Sequence, residues 1–213
     1  MDVRMFTVGP VAENTFLFRR DDSDRALIVD PGDEAPKLLG AIEELGVTLD
    51  GILLTHTHFD HIGAVAPIAR ATGAEVWVPE IEKVVLADIN SYQPFAGIGP
   101  FEDWDAEHTV SGGEKLELAG FEIDVLFTPG HSPGHVTYAV ADEQALFSGD
   151  VLFQGSVGRT DLPGGDWSTL LESIRTLVDS YPEETTVYPG HMGITTLGRE
   201  RATNPFLVEL ARG

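Results

Sequence analysis

Apolar residues along this chain fall into short runs parted by turn-forming residues, with a few stretches of helical spacing between them. Val3 to Val8, Thr15 to Phe18 and Ala26 to Val29 predict three strands, the last stopped by Asp30-Pro31-Gly32. Leu38, Ile42 and Leu45 recur at one helical turn and predict a helix over Ala35 to Leu45, ended by Gly46. A buried-strand run follows at Gly51 to Leu54, then a helix over Ile62 to Thr72 closed by Gly73, then a strand at Val76 to Val78. Ser91 to His108 is expected to be irregular, because Pro94, Gly97, Gly99 and Pro100 break any helix. So long a connection inside a compact chain is often functional. Leu116 to Leu118, Phe121 to Phe127, Val136 to Val140 and Ala145 to Phe147 form a second series of strands. An apolar stripe (Leu170, Leu171, Ile174, Leu177, Val178) marks a helix over Trp167 to Ser180, and Thr186 to Tyr188 is the last strand. Two β-rich stretches, each followed by helix, predict an α/β chain with two sheets face to face and helices outside.

Composition narrows the function classes. The 213 residues are 42% hydrophobic and 23% charged, enough for a real core. No run of eighteen apolar residues occurs, so no membrane span is expected. The N-terminal residues Met1 to Pro10 lack the apolar core of a signal peptide. There is no cysteine, hence no disulfide, thiolate ligand or cysteine nucleophile, and the expected compartment is the cytoplasm. Thirteen Lys and Arg against 35 Asp and Glu give a net charge of −22, which opposes binding to a phosphodiester backbone. With only three lysines the surface suits a salt-rich cytoplasm, although ordinary drift of a solvated surface is the simpler account. The expected partner is a small molecule; the sequence does not give the oligomeric state.

The candidate chemistry lies at the strand ends. Thr55-His56-Thr57-His58-Phe59-Asp60-His61 follows the Gly51 to Leu54 strand directly and holds four possible ligands within six positions. Imidazole and carboxylate together suit zinc and similar divalent ions. Three more such residues sit in glycine turns after apolar runs: His131 after Pro129-Gly130, Asp150 after Ser148-Gly149, and His191 after Pro189-Gly190. A lone histidine in such a place is usually structural. Five of the chain's seven histidines placed this way, with two aspartates, argue against coincidence.

His56-Thr57-His58-Phe59-Asp60-His61 resembles the HxHxDH signature of the metallo-β-lactamase superfamily. Asp30-Pro31-Gly32, Pro129-Gly130-His131, Gly149-Asp150 and Pro189-Gly190-His191 resemble its other motifs, in the right order. The resemblance covers nearly the whole chain. It implies an αββα sandwich of two mixed sheets flanked by helices, with metals at one edge between the sheets. It also implies that His56, His58 and His131 hold one divalent ion, that Asp60, His61 and His191 hold a second, and that Asp150 bridges them. Zinc is expected first, with iron or manganese as alternatives, and Asp60 and Asp150 are the candidate catalytic carboxylates.

Within the superfamily the chain is similar to the compact bacterial type of glyoxalase II. The stretches that carry this are 129–135, 155–166 (GSVGRTDLPGGD), 196–201 (TLGRER) and 204–207 (NPFL). Two-domain glyoxalase II enzymes add a C-terminal helical domain that helps hold glutathione. This chain runs only a short way past His191, so one domain over 1–213 without that addition is expected. The implied activity is hydrolysis of a thioester such as S-lactoylglutathione by a hydroxide held between the two metals, which lower the pKa of water towards neutrality. Thiols have a pKa of roughly 8.5, so the thiolate leaves without a dedicated general acid.

Gly158-Arg159-Thr160-Asp161 is shared with a rival, the iron-dependent persulfide dioxygenases, which hold one iron through two histidines and an aspartate. A nuclease and a non-catalytic metal-binding module are weaker alternatives. A secreted β-lactamase is disfavoured, because the branch most often discussed uses a cysteine at the second metal.

Arg159 follows Asp150 closely and is the candidate for gripping a substrate carboxylate, or else it pairs with Asp161 or Asp166. Asp30 is expected either to orient a ligand histidine from behind or simply to make its turn. His135, in a motif position that is not normally a ligand, is expected to hydrogen-bond behind the metals. Tyr92, Phe95, Phe101 and Trp104 either roof the pocket or pack in the core. Asn204 to Leu207 is expected to dock the C-terminus, and His108 has no assigned role.

Overall fold

The fold was analysed in a computed structural model, which describes residues 1–93 and 95–210, the last two as backbone only. In chain order the elements are β1 (Asp2–Val8), β2 (Glu13–Arg19), β3 (Arg25–Val29), α1 (Ala35–Leu45), β4 (Thr48–Leu53), α2 (Phe59–Ile62), α3 (Val65–Thr72), β5 (Glu75–Pro79), α4 (Lys83–Leu86), α5 (Ile89–Tyr92) and β6 (His108–Val110). There follow β7 (Lys115–Leu118), β8 (Phe121–Phe127), β9 (Val136–Val140), β10 (Ala145–Gly149), β11 (Leu152–Phe153), β12 (Ser156–Val157), α6 (Trp167–Ser180), β13 (Thr186–Pro189), β14 (Thr195–Thr196), α7 (Leu197–Thr203) and α8 (Pro205–Leu210). One sheet runs β1-β2-β3-β4-β5-β6 and the other β14-β13-β10-β9-β8-β7. Both are mixed: β3 to β6 are parallel and β1 to β3 antiparallel, while β10 and β13 are parallel within an otherwise antiparallel sheet.

The period-two alternation of strand side chains divides the core into three layers. Phe16, Phe18, Leu27, Val29 and Leu53 of the first sheet meet Phe121, Ile123, Val125, Tyr138 and Phe147 of the second, between the sheets. The alternate residues Leu17, Ala26, Ile28 and Ile52 face outwards and are covered by Leu38 and Ile42 of α1 and Val65, Ile68 and Ala69 of α3. On the far side Ala139, Leu146 and Val187 pack under Leu170, Ile174 and Leu177 of α6. Central strands are therefore buried on both faces, which is why they lack clean alternation in sequence. The αββα sandwich expected above is the observed architecture.

Three expectations are corrected. The helix read as continuous over Ile62 to Thr72 is broken into α2 and α3, because Gly63 and Ala64 turn so that the Ala64 amide donates to the Pro31 carbonyl at 3.0 Å. His108 opens a strand rather than closing the irregular segment; its ring stacks on Trp77 and its Nε2 contacts Glu75 at 2.6 Å. Ser91 and Tyr92, expected to be irregular, instead complete α5, where no proline or glycine interrupts the turn; residues 93 and 95–107 form no helix or strand among the described residues, as expected, while Pro94 lies outside them. The C-terminal stretch docks as expected: Leu207 is buried under α6, and Asn204 Nδ2 donates to the Ser156 carbonyl at 3.0 Å.

The two sheets are tied together beside the histidine loop. Tyr138 Oη in β9 donates to the Leu54 carbonyl at 2.9 Å, and the Val136 amide donates to the Thr55 carbonyl at 2.8 Å. Tyr138 is fully buried, so Tyr138→Phe strands a carbonyl without compensating solvent. We expect a loss of about 1–3 kcal/mol in chemical denaturation. An unchanged midpoint would show that this bond does not hold the loop.

Candidate metal centre

The chain delivers its candidate ligands to one edge of the sandwich because the strands that carry them end there. β4 runs out at Leu53 and releases His56 to His61. β10 and β13 are parallel neighbours with Gly149 opposite Pro189, and the Gly190 amide donates to the Gly149 carbonyl at 2.8 Å, so Asp150 and His191 leave side by side. Both glycines are required. Gly149 is left-handed (φ 47°), and a Cβ there would press on Thr55 and on His135. A Cβ on Gly190 would run into the Asp150 carboxylate and sit 2.7 Å from His61.

Two triads result. His56 Nε2 lies 3.1 Å from His58 Nδ1, which lies 2.9 Å from His131 Nε2. Asp60 Oδ2 lies 3.3 Å from His191 Nε2 and 3.8 Å from His61 Nε2. The Asp150 carboxylate stands between them, Oδ2 at 3.4 Å from His131 Nε2 and 3.5 Å from His191 Nε2, and Oδ1 at 3.4 Å from His61 Nε2. All seven residues singled out from the sequence are thus brought together.

The outward ring nitrogens show which lone pairs face in. His61 Nδ1 donates to Asp30 Oδ2 at 3.0 Å, His131 Nδ1 to the Arg159 carbonyl at 2.8 Å, and His191 Nδ1 to the Ala12 carbonyl at 3.3 Å. His56 Nδ1 lies 3.1 Å from Thr55 Oγ1, whose own proton goes to Asp30 Oδ2 at 2.6 Å. Asp30 therefore orients two imidazoles, one directly and one through Thr55, while it also accepts from the Thr55 amide at 2.7 Å. Its oxygens lie within reach of His56 and His61 as a third potential ligand cluster, but these bonds already occupy them. With the outer nitrogens donating, the Nε2 atoms of His56, His61, His131 and His191 present lone pairs to the centre. That is how imidazoles are held for a metal.

The electrostatics ask for a cation. Burial holds His56 well below its usual pKa, and the neighbouring histidines add to the effect; burial and His131 lower His58 to about 4. Both are neutral at pH 7, the ligating form. Burial would lower His61 too, but Asp150, Asp60 and Asp30 outweigh it and drive the ring well above its usual value. Burial would raise Asp60, but His61 and the bond from His191 outweigh that and keep it ionised. His61 Nε2 and Asp150 Oδ1 are buried without a hydrogen-bond partner among the described residues. Converging lone pairs, orphaned inner atoms and a mixed imidazole–carboxylate set fit divalent ions.

The sequence profile of the metallo-beta-lactamase superfamily matches residues 8–191. The chain belongs to that superfamily. Among its relatives, a protein named probable metallo-hydrolase YqgX from Bacillus subtilis (strain 168) is 43% identical over 209 residues, covering 97% of this chain and 98% of the relative. Hydroxyacylglutathione hydrolase GloC from Haemophilus influenzae is 37% identical, with coverage of 97% and 98%. Of solved structures, BLEG-1 B3 metallo-beta-lactamase superposes with a TM-score of 0.91 at 40% identity, covering 97% of this chain and 99% of its own. TTHA1623, solved in a di-iron-bound form, gives 0.85 at 40% identity, with coverage of 96% and 100%.

Around this superfamily centre the structure adds residues that sequence reasoning missed. Glu82 is buried and accepts from the Thr57 amide at 2.7 Å, Thr57 Oγ1 at 3.0 Å, the Gly134 amide at 2.8 Å and Ser132 Oγ. One carboxylate thereby clamps the His56–His61 loop to the His131 loop. Asn14 Nδ2 donates to the carbonyls of Pro189 and Met192, at 3.1 and 2.8 Å, and fixes the His191 turn. Glu13 lies fully buried 3.8 Å from His61 Nδ1; burial raises its carboxyl well above the usual range, with Asp30 and Asp60 adding to that against His61. Nothing in an acidic chain's sequence distinguishes these three from surface residues.

The remaining expectations divide. His135 sits behind the centre, accepting from the Asp150 amide at 3.1 Å and facing Thr128 Oγ1 at 3.0 Å. Arg159 lines the pocket above the site, but its guanidinium is exposed and bonded to both Asp161 oxygens at 2.6 and 2.7 Å. Tyr92 and Phe95 line the pocket, whereas Phe101 and Trp104 pack against the core.

In Glu82→Gln the amide nitrogen must face one of the two donor pairs that the carboxylate satisfies. We expect a loss of about 2 kcal/mol or more, since bonds to a charged group contribute about 1.5–3 kcal/mol each, and weaker metal retention on dialysis. Equal melting and equal metal retention in variant and parent would show that the clamp is dispensable.

Proposed function

We propose that the chain is a metal-dependent hydrolase that cleaves thioesters to a carboxylate and a thiol. The observation that supports this best is the pair of ligand triads with Asp150 between them on the floor of one pocket. His56, His58 and His131 would hold one ion, Asp60, His61 and His191 the other, with Asp150 shared. Two such ions supply a water acidified to near neutrality and a Lewis acid for the carbonyl.

The chain's own residues do the rest. Asp30, the Arg159 carbonyl and the Ala12 carbonyl fix the tautomers of four imidazoles, so their lone pairs are set before any ion arrives. Asp60 and Asp150 are the candidate catalytic carboxylates: Asp150 would set the spacing of the two ions, and Asp60 stands beside it at the second triad. No serine or cysteine nucleophile and no separate acid are called for, since a thiolate is a good leaving group. The GloC relative supports a thioester, with a glutathione thioester such as S-lactoylglutathione as the first substrate to try. BLEG-1 makes a β-lactam the necessary control. We further propose that residues 1–213 work as one domain, and that zinc, iron or manganese fills the site; the di-iron form of TTHA1623 keeps iron in view.

The test is metal analysis together with a thioester assay in air and under nitrogen. We expect close to two ions per chain and equal rates with and without oxygen. Asp150→Ala should lose metal from both triads and most of the activity. One iron per chain with oxygen consumption would favour the dioxygenase alternative, and full metal content and rate in Asp150→Ala would refute the bridging role.

A further inference from the structure

The pocket over the centre has a volume of about 640 Å³ and is lined on one side by apolar side chains. Ile81, in the turn Glu80–Glu82, Val85 of α4, and Ile89 and Tyr92 of α5 all line it, although Asp88 breaks the helical path between α4 and α5 (φ −156°, ψ 57°). Phe95 and Leu162 extend the face. Ile81 is 58% exposed, Tyr92 53% and Phe95 42%. Large apolar side chains normally reach a protein surface singly, and a contiguous set marks a binding face. Val85 and Leu162 are half-buried and Ile89 is buried in the core cluster, and the same pocket is lined by His58 and Asp60.

Charge gives the same answer from the other side. Arg159 is the one Lys or Arg lining the pocket among the described residues, and Asp161 already takes its fork. Asp60 and Asp150 are taken up on the floor as proposed metal ligands, and both oxygens of the buried Glu82 are spent on the loop clamp. Away from the proposed metals, a polar anionic group would find no free Lys or Arg on this wall among the described residues.

We infer that this wall binds the acyl part of the substrate and that the acyl group is an apolar chain rather than a small hydroxyacyl group. The inference rests on the thioester reading above and adds the substrate class to it.

The test uses metal-loaded protein and two series that share the acyl chain. N-acetylcysteamine thioesters from acetyl to octanoyl are followed by kcat/KM, and the free acids from acetate to octanoate by calorimetric binding. A fully buried methylene is worth about a fourfold gain. Partial burial along an open wall should still give at least about a tenfold rise from acetyl to octanoyl in each series. Ile81→Asp, at an exposed position that tolerates polarity, should cut the octanoyl-to-acetyl ratio in both series by about fivefold or more. A rising acid series with no thioester hydrolysed would leave the wall as an apolar-chain site and overturn only the thioester reading. Hydrolysis of every thioester at one rate whatever its chain would overturn the apolar site and leave the thioester reading standing. A flat acid series, or an Ile81→Asp variant with the parent's ratios, would equally overturn it.

Discussion

Five imidazoles and two carboxylates meet at one edge of this sandwich, several of their inner atoms closer than 3.5 Å, with ring lone pairs aimed at one another. Such an arrangement is unfavourable unless positive charge lies between the groups. Buried polar atoms left without partners cost free energy, and His61 Nε2 and Asp150 Oδ1 are two of these. Most of what surrounds the edge makes sense as the means of holding that arrangement in place. The parallel pair β10 and β13 sets Asp150 beside His191, and Tyr138 and Val136 pin the histidine loop to the opposite sheet.

Buried carboxylates do much of this positioning, which is unexpected in groups that are costly to bury. Asp30 and Glu82 are tolerated because backbone amides and hydroxyls meet them on each side. Asp30 sets the orientation of His61 and, through Thr55, of His56; Glu82 ties two ligand loops that lie far apart in sequence. Glu13 lacks such partners on one oxygen, and burial pushes it towards its neutral form. The acidic composition is thus only partly a surface matter. Above these carboxylates the pocket turns apolar, so the polar chemistry is confined to its floor.

The seven candidate ligands were legible in the sequence because each is local: a histidine or aspartate directly after an apolar strand and, in three cases, a glycine. The strands of both sheets were legible for the same reason, as was α6 with its unbroken stripe. Asn14 and Glu82 were not, because their partners lie elsewhere in the chain, and Glu13 was not, because the His61 ring it faces is 48 positions on. Asn14 Nδ2 reaches 175 residues to Pro189, and Glu82 reaches 25 residues back to Thr57 and 50 on to Ser132. The Ile81 to Tyr92 stripe went unread because it is divided among three short helical pieces, none long enough to show a period alone. Gly63 carried a signal for the break between α2 and α3, but a single glycine inside a helical pattern is commonly tolerated. β11, β12 and β14 are two residues each, too short to leave any pattern.

The central claim is that the two triads each hold an ion and share Asp150. Anomalous X-ray scattering from crystals of the metal-loaded protein tests it directly. The account predicts two peaks, one among His56 Nε2, His58 Nδ1 and His131 Nε2 and the other among Asp60, His61 Nε2 and His191 Nε2, with the Asp150 carboxylate between them. A single peak in a fully loaded crystal, or peaks away from these atoms, would contradict it.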